Sequence, residues 1–104
     1  MEEKLGDFRY MIQDSGEVGE AYITFNRAVQ SKLPFDPKTY QLFCLAYLTA
    51  NRDVDGIKAH TRMAKQEGAT REEVASAILA GFPFLGSNIY TCYTAAVQTY
   101  DEIE

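Results

Sequence analysis

The only histidine of the chain, His60, stands at the end of the segment Asp53-Val54-Asp55-Gly56-Ile57-Lys58-Ala59-His60. Offsets of three, four and seven return to the same side of an α-helix, so Asp53, Gly56 and His60 look the same way if this segment is helical. That pattern describes a site at the start of a helix. Unpaired amides and the helix dipole there favour an anion, and an imidazole two turns further in can move a proton. A structural account fits the same residues: Asp53 and Asp55 cap the helix and complement its dipole, and His60 is a satisfied or surface histidine. Asp53, Asp55 and His60 make a poor metal set, because Asp55 falls about 200° from Asp53 around a helix that turns ~100° per residue, and the chain has no other histidine. No metal and no cofactor is expected.

The elements that must hold these residues are helices throughout. Residues from about 3 to 13 place Leu5, Phe8 and Met11 or Ile12 at helical spacing, and Asp14-Ser15-Gly16 breaks the pattern. From Glu17 to about Gln30, the residues Val18, Ala21, Tyr22, Phe25, Ala28 and Val29 follow the rhythm of a helix with one buried face. Pro34 discourages helix at Leu33. Asp36-Pro37 then offers a capping oxygen and a proline at the first helical position. The apolar residues from Tyr40 to Ala50 go all the way round this third helix, which predicts burial on most sides. A small domain can hardly cover such a helix alone.

The fourth helix has Val54, Ile57, Met63 and Ala64 on its inner face and ends at Gly68, a natural left-handed terminal residue. Thr70-Arg71-Glu72-Glu73 reads as a capping box, opening a fifth helix with Val74, Ile78 and Leu79 inside that stops around Gly81. Phe82-Pro83-Phe84-Leu85-Gly86 reads as an apolar turn. Ser87 is placed to cap a last helix whose inward residues are Ile89, Tyr90, Tyr93, Ala96, Val97 and Tyr100. No segment asks to be a strand. The expected fold is all-α, of about six helices, in one domain spanning 1–104.

Composition narrows the partners. The 104 residues carry 15 acids against 10 bases, a formal net charge of −5, so no basic field exists to hold a phosphate backbone or an anionic membrane. Nucleic acid and membrane are not expected partners. The N-terminus, Met1-Glu2-Glu3-Lys4-Leu5, lacks the basic and apolar regions of a secretory signal, and no run approaches 18 consecutive apolar residues. A cytoplasmic protein is expected. Cys44 and Cys92 lie in apolar segments without metal-type or redox-type spacing and read as small core residues.

The run Asn51-Arg52, then Ile57, His60, Ala64, Gly68-Ala69-Thr70 and Glu72-Glu73-Val74, with Asp36-Pro37-Lys38-Thr39 before the apolar helix, resembles the carboxymuconolactone decarboxylase family, which includes the alkylhydroperoxidase D-like proteins. The similarity extends from about Glu17 to the C-terminus. It implies an all-helical alkylhydroperoxidase D-like domain that assembles as a homo-oligomer, commonly a trimer or hexamer. In the redox branch of that family a Cys-x-x-Cys pair opens the fourth helix and a glutamate on the third completes a proton relay with the histidine. Here the two cysteine positions hold Asp53 and Gly56 and the glutamate position falls on Gln41. Peroxide reduction by that route needs one sulfur that oxidises and another that resolves it, so neither residue can substitute.

The decarboxylase branch works without the cysteine pair, and this chain is similar to it in that respect. Loss of carboxylate from a small lactone leaves an enolate-like charge to be reprotonated, which suits an imidazole, a cation to hold substrate and a dry pocket. A lyase-type or proton-transfer site would then use His60 as acid or base, Gln41 as its neutral hydrogen-bond partner and Asp53 beside them. Arg52 and Gly56 would meet a small-molecule substrate at the helix start, with Arg52 the best placed of the cations Arg52, Lys58 and Arg62. Asp53 and Asp55 together would repel a carboxylated substrate. The other expectation is a non-catalytic oligomer, a binding or accessory protein that keeps the scaffold. A pocket touching both Gln41 and His60 separates the two, whereas packed core between those side chains would end the enzyme reading.

Overall fold

Caps and breakers in the sequence mark several of the helix ends. The computed structural model describes residues 6–103, and among them all regular structure is helical. The order is α1 (Asp7–Asp14), α2 (Glu17–Ser31), α3 (Pro37–Ala50), α4 (Val54–Gln66), α5 (Arg71–Leu79), the single turn α6 (Phe82–Leu85), a 3-10 turn (Gly86–Ile89) and α7 (Tyr90–Glu102). Asp36 Oδ1 accepts from the Thr39 amide at 2.7 Å, with Pro37 at the first helical position of α3. Thr70 and Glu73 exchange both bonds of the capping box that starts α5. Gly68, at φ +91°, closes α4: its amide reaches the Lys65 carbonyl and that of Ala69 reaches Ala64, the paired bonds of a Schellman motif.

The chain forms two compact units that divide between Pro34 and Phe35. The first consists of α1 and α2, joined through Ser15 and Gly16, the latter at φ +60°. The helices approach at Gly19, where an added Cβ would stand 1.9 Å from the Ile12 carbonyl oxygen, and Phe8 and Tyr22 meet edge to face at 5.6 Å. A groove of about 460 Å³ lies between them, lined by Ile12, Gln13, Gly19, Glu20, Ile23 and Arg27 among others. The expected buried face of α2 is not buried: Val18, Tyr22, Phe25 and Val29 are all exposed, Val18 and Phe25 by about two thirds. One helix covers only one strip of another, and α1 takes the strip through Gly19 and Ile23. Leu5, expected in the first helix, lies outside the described residues.

The second unit, from Phe35 onward, holds the core. Leu45 of α3, Ile57 and Ala64 of α4, Val74 and Ile78 of α5, and Cys92, Ala95 and Ala96 of α7 are buried together with Ala69 and Ile89. With the buried Thr49, Thr61 and Thr99 included, the buried positions of each helix repeat at three or four residues, so α3, α4, α5 and α7 each turn one stripe inward, with α4 and α5 both packed on α3 and α7. Polar bonds tie the helix ends. Lys38 bridges to Glu73 at 3.0 Å, Arg71 holds Asp101 through two bonds, and the Tyr100 hydroxyl donates to the Ala69 carbonyl at 2.8 Å. Lys65 donates to the carbonyls of Tyr100 and Ile103 and lies over the Tyr100 ring, a cation at the negative end of α7.

Several expectations about this unit change. Burial on α3 is confined to Leu45 and Thr49, while Phe43 and Tyr47 are exposed. Met63, Leu79 and Tyr90, expected inside, are exposed as well. These are large side chains at the edges of their stripes, and periodicity cannot say which edge a neighbouring helix covers. The Phe82–Leu85 segment is a helical turn rather than an open one. Ser87 sits within the 3-10 turn and makes no capping bond; Ile89 occupies the position before α7. Sequence periodicity also missed Thr61, whose hydroxyl is fully buried without a hydrogen-bond partner.

The stretch Arg71–Glu102 has the mean hydropathy of a membrane span, 1.2 over its most apolar window. It is not one rod. Gly81, Pro83 and Gly86 fall where it divides into α5, α6, the 3-10 turn and α7, and the 13 residues of α7 reach only about 20 Å against a hydrocarbon layer of ~30 Å.

Candidate functional site

The site depends on how tightly α3 turns into α4. At the end of α3 the Arg52 amide donates to Thr49 and the Asp53 amide to Leu48, again a Schellman pair, with Arg52 itself in the left-handed position at φ +56°. A glycine usually fills that place, and arginine holds it at a cost of about 1 kcal/mol. Asp53 follows as the N-cap of α4, its Oδ1 accepting from the Gly56 amide at 2.9 Å. The chain thus reverses within three residues, and α4 runs back along α3.

Gly56 leaves space on α4 for side chains beside it. An added Cβ would lie 2.8 Å from Leu48 Cδ2 and 2.7 Å from Asp53 Oδ2, so this glycine makes room for a leucine from α3 and for the capping carboxylate. Leu48 was not singled out by sequence reasoning. The signal existed: it stands seven residues after Gln41 and shares its side of α3.

One turn beyond Gly56, the same face of α4 presents His60 to α3. Its Nδ1 lies 2.7 Å from Gln41 Oε1, with both side chains half-buried. A carboxamide oxygen only accepts, so Nδ1–H donates, and the lone pair of the neutral ring resides on Nε2. Burial pushes the His60 pKa below its ordinary value, opposed by the nearby Asp53 carboxylate. The ring is therefore neutral at physiological pH, an acceptor of protons with a fixed tautomer.

The remaining expected site residues gather around the turn. Arg52, Asp53 and Asp55 are exposed. Arg52 and Asp53 both act electrostatically on buried Cys92 of α7, although burial dominates and raises that thiol's pKa. Burial likewise raises Cys44, against a hydrogen bond from Tyr40. Both cysteines are thiols at neutral pH, poor nucleophiles. The structure thus brings Gln41, His60, Gly56 and Asp53 to one side of the α3–α4 pair, and Arg52 to the turn above them. No packed core separates Gln41 from His60. The groove of the first unit includes neither, and among the described residues no three histidine, cysteine, aspartate or glutamate side chains converge as metal ligands would.

An all-helical core with a half-buried imidazole carried on the helix after an apolar one is the architecture the sequence resemblance implies. A family model described as the carboxymuconolactone decarboxylase family matches residues 16–98, and the chain belongs to that family. No curated protein and no solved structure matches it.

Proposed function

We propose that this protein catalyses proton transfer on a small carbonyl or lactone compound, with His60 as the general base and, once charged, the acid that returns the proton. The observation that carries this reading is the 2.7 Å bond from His60 Nδ1–H to Gln41 Oε1. A neutral partner fixes the ring without raising its basicity as a carboxylate would, which leaves Nε2 ready to take a proton near neutral pH. Asp53 stands close enough to stabilise the imidazolium that forms. A decarboxylation would use the same ring in its charged form, to reprotonate the enolate. Cys-x-x-Cys peroxidase chemistry finds no support, because the chain's two cysteines are 48 positions apart.

The assembly expected for this reading is a homo-oligomer. What supports it is the apolar surface of the single chain: Phe84 is 87% exposed, Tyr47 74% and Val18 66%, far more than isolated surface residues require. The same surface would serve a binding or accessory protein that does no chemistry. The two readings part on one experiment. A panel of enolisable ketones and lactones is followed by NMR in deuterated water, with wild type and His60→Ala at equal oligomer size. Loss of catalysed exchange by about 100-fold or more in the variant is the expected result; wild-type rates equal to buffer across the panel would leave only the scaffold.

A further inference from the structure

We infer that the His60 site takes an uncharged carbonyl compound, a ketone, ester or lactone without a carboxylate. This inference rests on the proton-transfer reading and adds the substrate's charge to it. Three observations carry it. The helix start, which would otherwise attract an anion, is already occupied: the Gly56 amide is bonded to Asp53 Oδ1 at 2.9 Å, so the first turn of α4 has its negative partner in place. The partner of the imidazole is the neutral carboxamide of Gln41, not a cation. Finally, the nearby charge that acts on the ring is the carboxylate of Asp53, the N-cap of the helix that carries His60. Asp53 thus puts a negative field on the ring, and a second carboxylate brought there would meet it.

The same field assists the step itself. Nε2 forms an N–H bond as the α-carbon's C–H bond breaks, and the electron pair moves onto the carbonyl oxygen as an enolate. The imidazolium gains stability from Asp53, and the proton, exchanged with solvent, returns to carbon. No oxidant, reductant or second substrate is consumed. Asp53 thus favours the charged base and disfavours a charged substrate, which makes it a residue that sets specificity.

The test uses methyl levulinate and levulinate, one carbon skeleton with and without charge. Exchange of their α-protons for deuterium is followed by NMR with the full chain, with His60→Gln and with Asp53→Asn, in which asparagine retains the capping oxygen. The expected result is His60-dependent exchange of the ester at least about tenfold faster than of the acid, each relative to its buffer rate. Asp53→Asn should shrink that preference. Faster or equal His60-dependent exchange of levulinate overturns the charge assignment while the base survives. Absence of His60-dependent exchange on both compounds overturns the base itself, and the assignment with it.

Discussion

Gln41 Oε1 and His60 Nδ1 lie 2.7 Å apart although 19 residues separate them, because the chain reverses at Arg52 and lays α4 back along α3. The bond has a directional consequence. An amide oxygen can accept from the ring but cannot carry a charge, so it orients His60 while leaving burial free to keep it neutral.

Gln41→Glu replaces that neutral acceptor with a carboxylate of nearly the same shape. The His60 titration, read from the imidazole carbon-bound proton in NMR spectra, should then move to higher pH, since an anion in contact favours the charged ring. The pH below which general-base activity falls should rise in parallel. A titration that stays put would mean that the two side chains do not meet in solution.

Stability should also carry the signature of a depressed histidine. His60 binds a proton less readily folded than unfolded, so above the unfolded value of about 6.5 both states are neutral and the ring contributes no pH dependence. As pH falls through that value the unfolded chain takes up the proton first, and folding weakens until the folded pKa is passed. Urea unfolding of the wild type should therefore show lower stability at about pH 5.5 than at about pH 7.5, and His60→Gln should flatten the difference. Asp36, Glu73 and Asp101 are shifted in the same direction for a different reason, each lowered first by its hydrogen bonds: from Thr39, from Thr70 and from Arg71 respectively. Their contribution is lost only in the acid range below the ordinary carboxylate values of about 4, a separate window.

The two crowded glycines should respond unequally to alanine. At Gly19 the new methyl would meet the Ile12 backbone carbonyl, which can yield only if α1 moves. A loss of about 2 kcal/mol or more is expected there, with the hairpin amides showing faster hydrogen exchange. At Gly56 the obstacles are the ends of the Leu48 and Asp53 side chains, which can rotate. Gly56→Ala should cost about 1 kcal/mol, roughly the worth of a disturbed cap, and should perturb the Gln41–His60 pair more than the fold. Equal losses at the two positions would contradict this account of the packing.

Local signals in this chain are explicit, and they carried most of the fold. Asp36-Pro37, the Thr70–Glu73 box and Gly68 each act within four residues, through bonds that the backbone can form before anything else is in place. The all-helical class and most helix boundaries followed from them. So did the shared side of Asp53, Gly56 and His60, which is a property of one helix alone.

Tertiary structure decided the matters that involve two elements. Whether Phe25, Tyr47 or Tyr90 is covered depends on which neighbouring helix occupies each edge, and their spacing alone does not contain that information. The approach of Leu48 to Gly56 and the meeting of Gln41 with His60 likewise depend on the tightness of a single turn. A histidine acquires its tautomer and its basicity from what it touches. The sequence by itself determined that an imidazole would share a helix side with Asp53 and Gly56; only the fold determined that this side turns to α3 and brings His60 within hydrogen-bond distance of Gln41.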